Sequence, residues 1–455
     1  MNRIFNRSKW LYVFAFAFLV GLFILFFTME VNSTEWVVKD YNQHLYSDGE
    51  LLAAGTITDR NGVVLAQTVD GERVYHDDAK VRKATLHVVG DTAGFIATGV
   101  QSTFKSELTG YSLLNGVYNL KKNGSGNDIQ LSIDSELSVT ALEALGSYKG
   151  TIGIYNYLNG EILCAVSNPT YDIYDKPDDI ATDDTGKYEG IYMNRFFSGL
   201  YTPGSTFKII TACCAIDNMI DIDRETFTCN GAWVNSVGNR VKCNGVHGTV
   251  NFEQALNRSC NTVFAKLAVE LGNEDMTVTA EEFGFNERLN ASGIKCAMST
   301  YNVSEAYDID LAWSGIGQYT TMLNPCHAAT ILGSIANRTG YTPTPTVIKG
   351  ERTSNLDYAG SVPSKQLDDM LRSNVENYYK DSSFPDLLMA GKTGTAEVAN
   401  KKPHAWFIGY SQRNDLPLCI VVVLENSGGS GIRTAIPVAN KVMQKALDLY
   451  GNNFE

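Results

Sequence analysis

The sequence predicts an α+β protein in which an antiparallel sheet, flanked by helices, is built from both ends of one large domain. Strand-like segments occur near residues 129–166 and again near residues 392–425. The stretch between about 205 and 340 carries helical patterns. A small domain and one membrane-spanning helix are predicted to precede the large domain.

The first predicted element is a transmembrane helix over residues 10–29. These 20 residues carry no charge and are rich in Phe, Leu and Val. A helix of that length spans about 30 Å, the hydrocarbon thickness of a bilayer. Basic residues precede the segment and acidic residues follow it: Arg3, Arg7 and Lys9, then Glu30 and Glu35. This bias predicts a single-pass protein of the cell membrane, with residues 1–9 cytoplasmic and the remainder extracytoplasmic.

A cleaved signal peptide is the alternative to an anchor. Its apolar core is usually about 7–15 residues long and ends in a small-residue cleavage site. Residues 28–33 offer no such site. We therefore expect the anchor to remain in the mature protein.

Two extracytoplasmic domains are predicted, a small one over residues 30–128 and a large one over residues 129–455. In the small domain, stretches such as residues 62–66 favour strands. The large domain opens with an alternating strand at residues 129–133. A helix to about Leu145, capped by Asp134 or Ser135, follows it.

The sheet of the large domain is predicted from a hairpin and three later strands. An Asn159-Gly160 turn between two apolar runs is a strong hairpin signal. The later strands and a final helix are predicted at residues 392–398, 404–410, 418–425 and about 437–450.

Three short motifs in a fixed order carry the chemical information. They are Ser205-Thr206-Phe207-Lys208, Ser259-Cys260-Asn261 and Lys392-Thr393-Gly394-Thr395, which read S-x-x-K, S-x-N and K-T-G. This combination is typical of enzymes that acylate a serine with a penicillin or a D-alanyl peptide. A hydroxyl is a poor nucleophile at neutral pH, so it needs a nearby base and donors for the oxyanion. Three residues make almost one helical turn, so Ser205 and Lys208 are expected to share a face.

The chain also contains additional matches to two of these motifs. Ser102-Thr103-Phe104-Lys105 has no turn before it and has mixed polar surroundings, so we interpret it as a solvated helix face. Ser125-Gly126-Asn127 lies in a segment typical of an exposed turn. Ser205 differs because the turn signal Pro203-Gly204 precedes it and an apolar run to Ile216 follows it.

The sequence around the three motifs resembles the class B penicillin-binding proteins, the monofunctional peptidoglycan D,D-transpeptidases. The segments that carry the resemblance are residues 55–62, 194–208, 315–318, 324–325, 391–397 and 404–410. Two positions depart from the family pattern, since Ala54 stands where an arginine is usual and Tyr319 where a third glycine is usual. The resemblance implies a short form of the family. It also implies the penicillin-binding transpeptidase fold, with a five-stranded antiparallel sheet and a pedestal formed by residues 30–128.

Within this resemblance the first two motifs receive catalytic roles. Ser205 is the expected nucleophile, and Lys208 is the expected base if burial and its neighbours lower its pKa. Ser259 is expected to relay a proton between Lys208 and the leaving nitrogen. Asn261 is expected to bind the amide group of the substrate.

The third motif is expected to bind substrate from an edge strand. Lys392, Thr393 and Thr395 are expected to hold the substrate carboxylate, with Lys392 exposed to the cleft. Gly394 is expected to let the substrate backbone approach closely. The resemblance also implies an oxyanion hole formed by the backbone amides of Ser205 and Thr395.

Catalytic roles could be considered for three other polar residues near these segments, but structural roles fit them better. We interpret Glu397 as orienting strand or loop contacts and His404 as making a structural hydrogen bond. His247, beside a glycine, is interpreted as a loop residue.

Composition argues against several other functions. A net charge of −13, from 37 basic and 50 acidic residues, argues against nucleic-acid binding. The nine cysteines contain no C-x-x-C pair and there are only six histidines, so we expect no zinc site and no cofactor. Cys229 and Cys243 lie in a polar loop, where either a disulfide or two free thiols would be consistent with the sequence.

The leading functional hypothesis is a serine D,D-transpeptidase that cross-links peptidoglycan stem peptides and is acylated and inhibited by β-lactams. The alternatives are a hydrolytic D,D-carboxypeptidase or β-lactamase, and a non-catalytic β-lactam sensor or scaffold. No dedicated carboxylate motif for deacylation follows Asn261, and only nine residues precede Trp10, which is short for a sensor's output domain. Family members commonly work with a multispanning glycan polymerase, so such a partner is expected. The sequence leaves open whether the enzyme serves elongation, division or sporulation.

Overall fold

The N-terminal helix contains the predicted membrane segment. The computed structural model describes residues 2–37, 46–47, 50–51, 54–109 and 126–451, with side chains described from residue 9 to 29 in the first helix. Helix α1 (Asn2–Val37) includes a window at Lys9–Met29 that is long and apolar enough to cross a bilayer. The rest of the described chain buries none of this window. A helix that is apolar all round and uncovered by protein suits a lipid environment.

A four-stranded sheet forms the core of the small N-terminal domain. Its strands, in spatial order, are Glu72–Tyr75, Val64–Val69, Ile57–Thr58 and Ile129–Gln130, and the last pair is parallel. The strand predicted at residues 62–66 corresponds to Val64–Val69, which begins two residues later. Ile129–Gln130 joins this sheet directly after the expected domain boundary at residue 128, and that boundary stays a prediction.

Five antiparallel strands form the central sheet of the large domain, as predicted. In chain order they are β1 (Gly150–Asn156), β2 (Ile162–Asn168), β3 (Met389–Val398), β4 (Lys401–Ser411) and β5 (Leu418–Leu424). The spatial order is β3-β4-β5-β1-β2, so both ends of the domain contribute and β3 lies at an edge.

Helices cover both faces of this sheet. The helices that receive labels after α1 are α2 (Ala79–Val89), α3 (Ser135–Leu145), α4 (Lys208–Asn218), α5 (Phe252–Asn257), α6 (Asn261–Glu282), α7 (Pro325–Ala336), α8 (Ser361–Ser373) and α9 (Ile436–Tyr450). Every residue of β5 is buried, because side chains alternate between two separate apolar cores. The core with α3 and α9 lies on one face, and the core with α4, α6 and α7 lies on the other.

Shorter elements fill the middle of the large domain. Among them are the helices Arg195–Ser198 and Asp308–Ser314 and the antiparallel pairs Thr226–Cys229 with Gly248–Asn251, Ala232–Val234 with Arg240–Lys242, Asn290–Ala291 with Ile294–Lys295, and Tyr341–Pro343 with Asn355–Asp357.

The predicted cap of α3 is confirmed, since Asp134 accepts a hydrogen bond from the Leu137 amide at 2.8 Å.

Buried polar contacts fix the small domain to the large one. Arg82 on α2 donates to both carboxylate oxygens of Asp172 at 2.7 Å. The buried Asp59 carboxylate accepts from the Ser135 hydroxyl at 2.7 Å at the start of α3. The second contact holds the family-like segment at residues 55–62 against the start of α3.

Candidate active site

The predicted nucleophile lies in a tight turn that precedes a buried helix. Ser205 belongs to the 3₁₀ turn Gly204–Thr206, and α4 begins three residues after it at Lys208. Gly204 has φ +54°, and a side chain there would come within 2.7 Å of the Thr395 carbonyl oxygen. The Pro203-Gly204 turn signal is therefore explained by a backbone that passes very close to β3.

The side-chain nitrogen of Lys208 is the point at which the first two motifs meet. Its Nζ lies 3.1 Å from Ser205 Oγ, 3.2 Å from Ser259 Oγ, 2.8 Å from the Ser259 carbonyl oxygen and 2.6 Å from Asn261 Oδ1. The first contact joins the 3₁₀ turn to the first residue of α4, and the other three cross about fifty residues of sequence. The expected grouping of Ser205, Lys208, Ser259 and Asn261 is thus present in the structure.

Burial gives Lys208 the properties of a base. The residue has no exposed surface. Desolvation is the main cause that lowers its pKa well below the usual value, and the positive charge of Lys392 lowers it further. A neutral amine 3.1 Å from Ser205 Oγ can accept the hydroxyl proton as that oxygen attacks a carbonyl.

The S-x-N motif lies at a strained connection between α5 and α6. Ser259 adopts φ +52°, a left-handed conformation that is uncommon for serine. This conformation accompanies a geometry in which its carbonyl and hydroxyl oxygens both face Lys208. Asn261 starts α6, and its Nδ2 donates to the Lys242 carbonyl at 2.9 Å. Both ends of the Asn261 amide already contact protein groups, so its contact with a substrate amide stays a prediction.

The K-T-G motif lies on the edge strand β3, as expected, but Lys392 is buried rather than exposed. Side chains alternate along a strand, and Lys392 shares its face with Gly394, against which the Ser205 turn packs. Burial lowers the pKa of Lys392 to about 7. The sequence could not show this, because the burial of a residue on an edge strand depends on which distant segments pack against the strand.

Gly394 also permits a close approach within the protein itself. A side chain at this position would come within 2.7 Å of the Pro203 carbonyl oxygen and 3.0 Å of Thr206 Cγ2. The glycine therefore allows the nucleophile turn, and not only a substrate, to approach β3.

Tyr379 is a site residue that the sequence reasoning missed. Its hydroxyl oxygen accepts from the Thr393 amide at 3.0 Å and lies 2.8 Å from Thr393 Oγ1. Thr393 is almost fully buried, whereas Thr395 is exposed. Of the two threonines expected to hold a carboxylate, Thr395 has the more accessible hydroxyl.

A buried ion pair holds the segment that leads to the nucleophile. Arg195 donates through Nε to Glu425 Oε1 at 2.7 Å, and the Tyr201 hydroxyl donates to the same oxygen at 2.8 Å. The indole of Trp406 donates to the Thr202 carbonyl at 3.1 Å. The end of β5 and the middle of β4 thus position the loop just before Pro203.

Among the described residues, neither His404 nor Glu397 forms a hydrogen bond with Ser205, Lys208 or Ser259. His404 Nδ1 accepts from the Asn426 amide at 3.0 Å, and Glu397 is exposed on β3. Ser102 and Lys105 lie in two separate short helices, Val100–Thr103 and Lys105–Thr109. Ser125 lies outside the described residues.

Spacing along the chain did not reveal one group of side chains that could bind a metal. The structure brings Cys229, Cys243, His247 and Cys260 together, with their ligand atoms all within 4.8 Å of one another. All nine cysteines are free thiols, including Cys229 and Cys243. The cluster escaped the sequence analysis because its members come from two hairpins and a helix cap rather than from one compact motif.

Two serine hydroxyls, each within hydrogen-bond distance of one buried lysine whose pKa is lowered, define a site for acyl transfer through a serine. Comparison with known proteins is consistent with this chemistry. Residues 150–444 match the family described as the penicillin binding protein transpeptidase domain. The match covers more than half of the chain, so the chain belongs to this family.

Several curated relatives are named as peptidoglycan D,D-transpeptidases. Peptidoglycan D,D-transpeptidase PbpA of Mycolicibacterium smegmatis is 25% identical over 366 residues, covering 71% of this chain and 73% of the relative. Stage V sporulation protein D of Bacillus subtilis is 26% identical over 362 residues, covering 72% and 54%. Peptidoglycan D,D-transpeptidase MrdA of Acinetobacter baumannii is 24% identical over 367 residues, covering 69% and 53%.

Solved structures confirm the fold prediction. The D,D-transpeptidase domain of a peptidoglycan glycosyltransferase from Eggerthella lenta superposes with a TM-score of 0.74 at 26% identity, covering 87% of this chain and 98% of that one. Pseudomonas aeruginosa PBP2 in complex with WCK 5153 gives 0.75 at 25% identity, covering 87% and 96%. The ceftriaxone acyl-enzyme complex of Mycobacterium tuberculosis penicillin-binding protein A gives 0.76 at 23% identity, covering 87% and 98%, a likeness of fold.

Proposed function

We propose that this protein is a D,D-transpeptidase that cross-links peptidoglycan stem peptides through an acyl-enzyme on Ser205. The observation that carries the proposal is the contact of Lys208 Nζ with Ser205, Ser259 and Asn261. Two of the relatives described above are named as peptidoglycan D,D-transpeptidases. The same chemistry makes β-lactams the expected inhibitors, because they acylate the same serine.

The acylation step follows from the positions of the side chains. Ser205 Oγ attacks the carbonyl between the two terminal D-alanines while its proton passes to the neutral amine of Lys208. The amides of Ser205 and Thr395 are assigned to the developing oxyanion. When the C–N bond breaks, the Lys208 proton passes through the Ser259 hydroxyl to the departing D-alanine nitrogen. An ester on Ser205 and free D-alanine result.

The second step reverses these proton transfers. The amine of a neighbouring stem peptide attacks the ester carbonyl and gives its proton to the site. Ser205 Oγ then leaves and recovers a proton from Lys208. The products are the cross-linked peptide and the free enzyme, so no proton is gained or lost over the cycle.

Substrate orientation is assigned to the edge strand and the S-x-N motif. Lys392, Thr393 and Thr395 are proposed to bind the terminal carboxylate, which would restore the charge of Lys392 near neutral pH. Asn261 is proposed to bind the substrate amide. Charge-assisted hydrogen bonds of this kind are worth about 1.5–3 kcal/mol.

A thioester substrate separates transpeptidation from hydrolysis. The full chain, extracted in detergent, is first labelled with a fluorescent penicillin to count active sites. It is then incubated with a peptide thioester, with and without a D-amino acid acceptor. We expect the aminolysis product to dominate when acceptor is present. Equal hydrolysis with and without acceptor would instead indicate a carboxypeptidase, and unlabelled protein would indicate a scaffold.

We further propose that residues 1–9 face the cytoplasm, that the catalytic domain faces the wall, and that a multispanning glycan polymerase is the partner. Support for the orientation comes from the basic residues before residue 10. Exchanging α1 for an unrelated spanning helix should weaken co-purification with the polymerase while leaving penicillin labelling of the detergent-extracted protein intact. Unchanged co-purification would remove the anchor from that interface.

A further inference from the structure

Four metal-binding side chains gather beside the S-x-N motif, and we refer to them as the thiol cluster: Cys229, Cys243, His247 and Cys260. Cys229 ends the strand Thr226–Cys229, and Cys243 follows the strand Arg240–Lys242. His247 immediately precedes the strand Gly248–Asn251, and Cys260 caps α6. Cys229 and Cys260 are fully buried, and the other two are half-buried.

The distances within the thiol cluster match tetrahedral zinc coordination. With Zn–S near 2.3 Å and Zn–N near 2.0–2.1 Å, tetrahedral angles place two sulfurs about 3.8 Å apart and a sulfur and a nitrogen about 3.6 Å apart. The Sγ atoms of Cys243 and Cys260 lie 3.8 Å apart, and Cys243 Sγ lies 3.5 Å from His247 Nδ1. A disulfide would need its sulfurs about 2.05 Å apart. These two distances fit tetrahedral zinc, and all four ligand atoms lie within 4.8 Å of one another.

We propose that the thiol cluster binds one structural zinc ion through Cys229, Cys243, His247 and Cys260. Three thiolates and one imidazole are a common donor set for structural zinc, and soft sulfur ligands disfavour magnesium and calcium. Four protein ligands fill a tetrahedral shell, so the ion is closed to substrate. The three thiols release protons when the ion binds.

The zinc site positions the S-x-N motif. Cys260 is the middle residue of that motif, between the Ser259 and Asn261 side chains that contact Lys208. Asn261 also donates to the carbonyl of Lys242, the residue before Cys243. One ion therefore ties both hairpins to the left-handed turn at Ser259. Without it, that turn rests on a few hydrogen bonds, and Ser259 and Asn261 are less firmly held against Lys208.

Oxidation of the same thiols to a disulfide would compete with zinc binding. The sulfur atoms of Cys243 and Cys260 are in direct contact. Disulfides form readily outside the cytoplasm. A Cys243–Cys260 disulfide would remove two of the four ligands. Zinc binding and this cross-link are mutually exclusive, so one measurement can separate them.

Metal content is the direct test. The full chain is purified in detergent under reducing, chelator-free conditions, and bound metals are quantified together with the number of reactive thiols. We expect one zinc per chain, with three additional thiols becoming reactive after a zinc chelator is added. Replacement by cobalt should give the thiolate charge-transfer and visible bands of a tetrahedral site.

Matched variants assign the ligands. Cys243→Ser and His247→Gln should each weaken zinc affinity at least tenfold. Cys326→Ser, a buried cysteine outside the thiol cluster, should retain one zinc per chain. A metal-free wild type with no cobalt bands, or a disulfide between Cys243 and Cys260 found by mass spectrometry, would overturn the proposal. Unaltered zinc affinity in both ligand variants would also overturn it.

The positioning role has its own readout. Removal of zinc from the wild-type chain should slow labelling by fluorescent penicillin at least tenfold, and added zinc should restore it. Unchanged labelling of zinc-free protein would refute the positioning role. Zinc content is measured without any acylation, so this proposal and the transpeptidase proposal can fail independently.

Discussion

Lys208 shows at the scale of one residue how the chain makes an unreactive hydroxyl reactive. Its Nζ has no exposed surface and contacts Ser205, Ser259 and Asn261. In water the same amine would be protonated at neutral pH and could not accept a proton. Burial therefore supplies the base, and the S-x-N motif orients it.

The chain has two S-x-x-K sequences, and replacing the serine of each should have opposite effects on penicillin labelling. Ser205→Ala should abolish covalent labelling by fluorescent penicillin, because it removes the only atom proposed to carry the acyl group. Ser102→Ala should label like the wild type, since Ser102 and Lys105 lie in separate helices. Gel fluorescence of the two variants measures this. Labelling of the Ser205 variant would show that another nucleophile is used.

The burial of Lys392 predicts a pH-dependent stability. Its pKa is about 7 in the folded protein, against 10.5 for an ordinary lysine. Between these values the unfolded chain binds more protons, so the contribution of Lys392 to the free energy of unfolding rises with pH. Compared with Lys392→Met, the wild type should therefore become relatively more stable between about pH 7 and pH 10. Thermal unfolding at several pH values measures the difference.

An exposed lysine provides the control for this comparison. Lys365→Met on α8 should leave the pH dependence unchanged. A constant difference between wild type and Lys392→Met across that range would contradict the assigned burial. Methionine is preferred to alanine here because removing a buried lysine stem leaves a cavity.

At the scale of elements, the site depends on how the nucleophile turn packs against β3. Gly394→Ala would place Cβ within 2.7 Å of the Pro203 carbonyl oxygen, a rigid backbone atom. We expect a loss of about 1–3 kcal/mol in the free energy of unfolding, typical of overpacking, together with slower acylation. Gly360→Ala, whose Cβ would meet only Pro363 Cδ at 3.7 Å, is the control. Equal effects of the two variants would refute the close approach.

Tyr379 connects the segment after α8 to the edge strand. Tyr379→Phe removes the hydroxyl that bonds the Thr393 amide and lies against Thr393 Oγ1. We expect slower acylation and a stability loss of about 1 kcal/mol, because one buried backbone amide loses its partner. Tyr378→Phe, at an exposed neighbouring tyrosine, should change neither. Stopped-flow acylation by a β-lactam and thermal unfolding measure the two effects.

At the scale of the whole molecule, an apolar helix that the rest of the described chain leaves uncovered precedes a sheet with an apolar core on each face. We predict that residues 10–29 remain in the mature protein and that the catalytic domain lies outside the cell. Mass measurement of membrane-extracted protein tests retention, and protease added to intact cells tests exposure. A mature N-terminus after residue 28 would contradict retention. Protection of the catalytic domain from protease would contradict the orientation.

The sequence by itself determined the elements and the chemistry. Turn residues such as Pro203-Gly204 and Asn159-Gly160, strand alternation and a long uncharged apolar run are local signals, and the structure places the corresponding elements as predicted. The order of three motifs was enough to identify Ser205 and Lys208 as candidates, because their chemistry requires those residue types.

Only the tertiary structure decided which side chains are covered and which distant residues meet. Lys392 is buried, Gly394 accommodates the Pro203 segment, and Tyr379 holds Thr393. The thiol cluster assembles from positions spread over about thirty residues, with no compact spacing to reveal it. The physical reason is common to all of these. Periodicity and turn preference act between near neighbours, whereas burial and ligand geometry depend on contacts that exist only after the chain has packed.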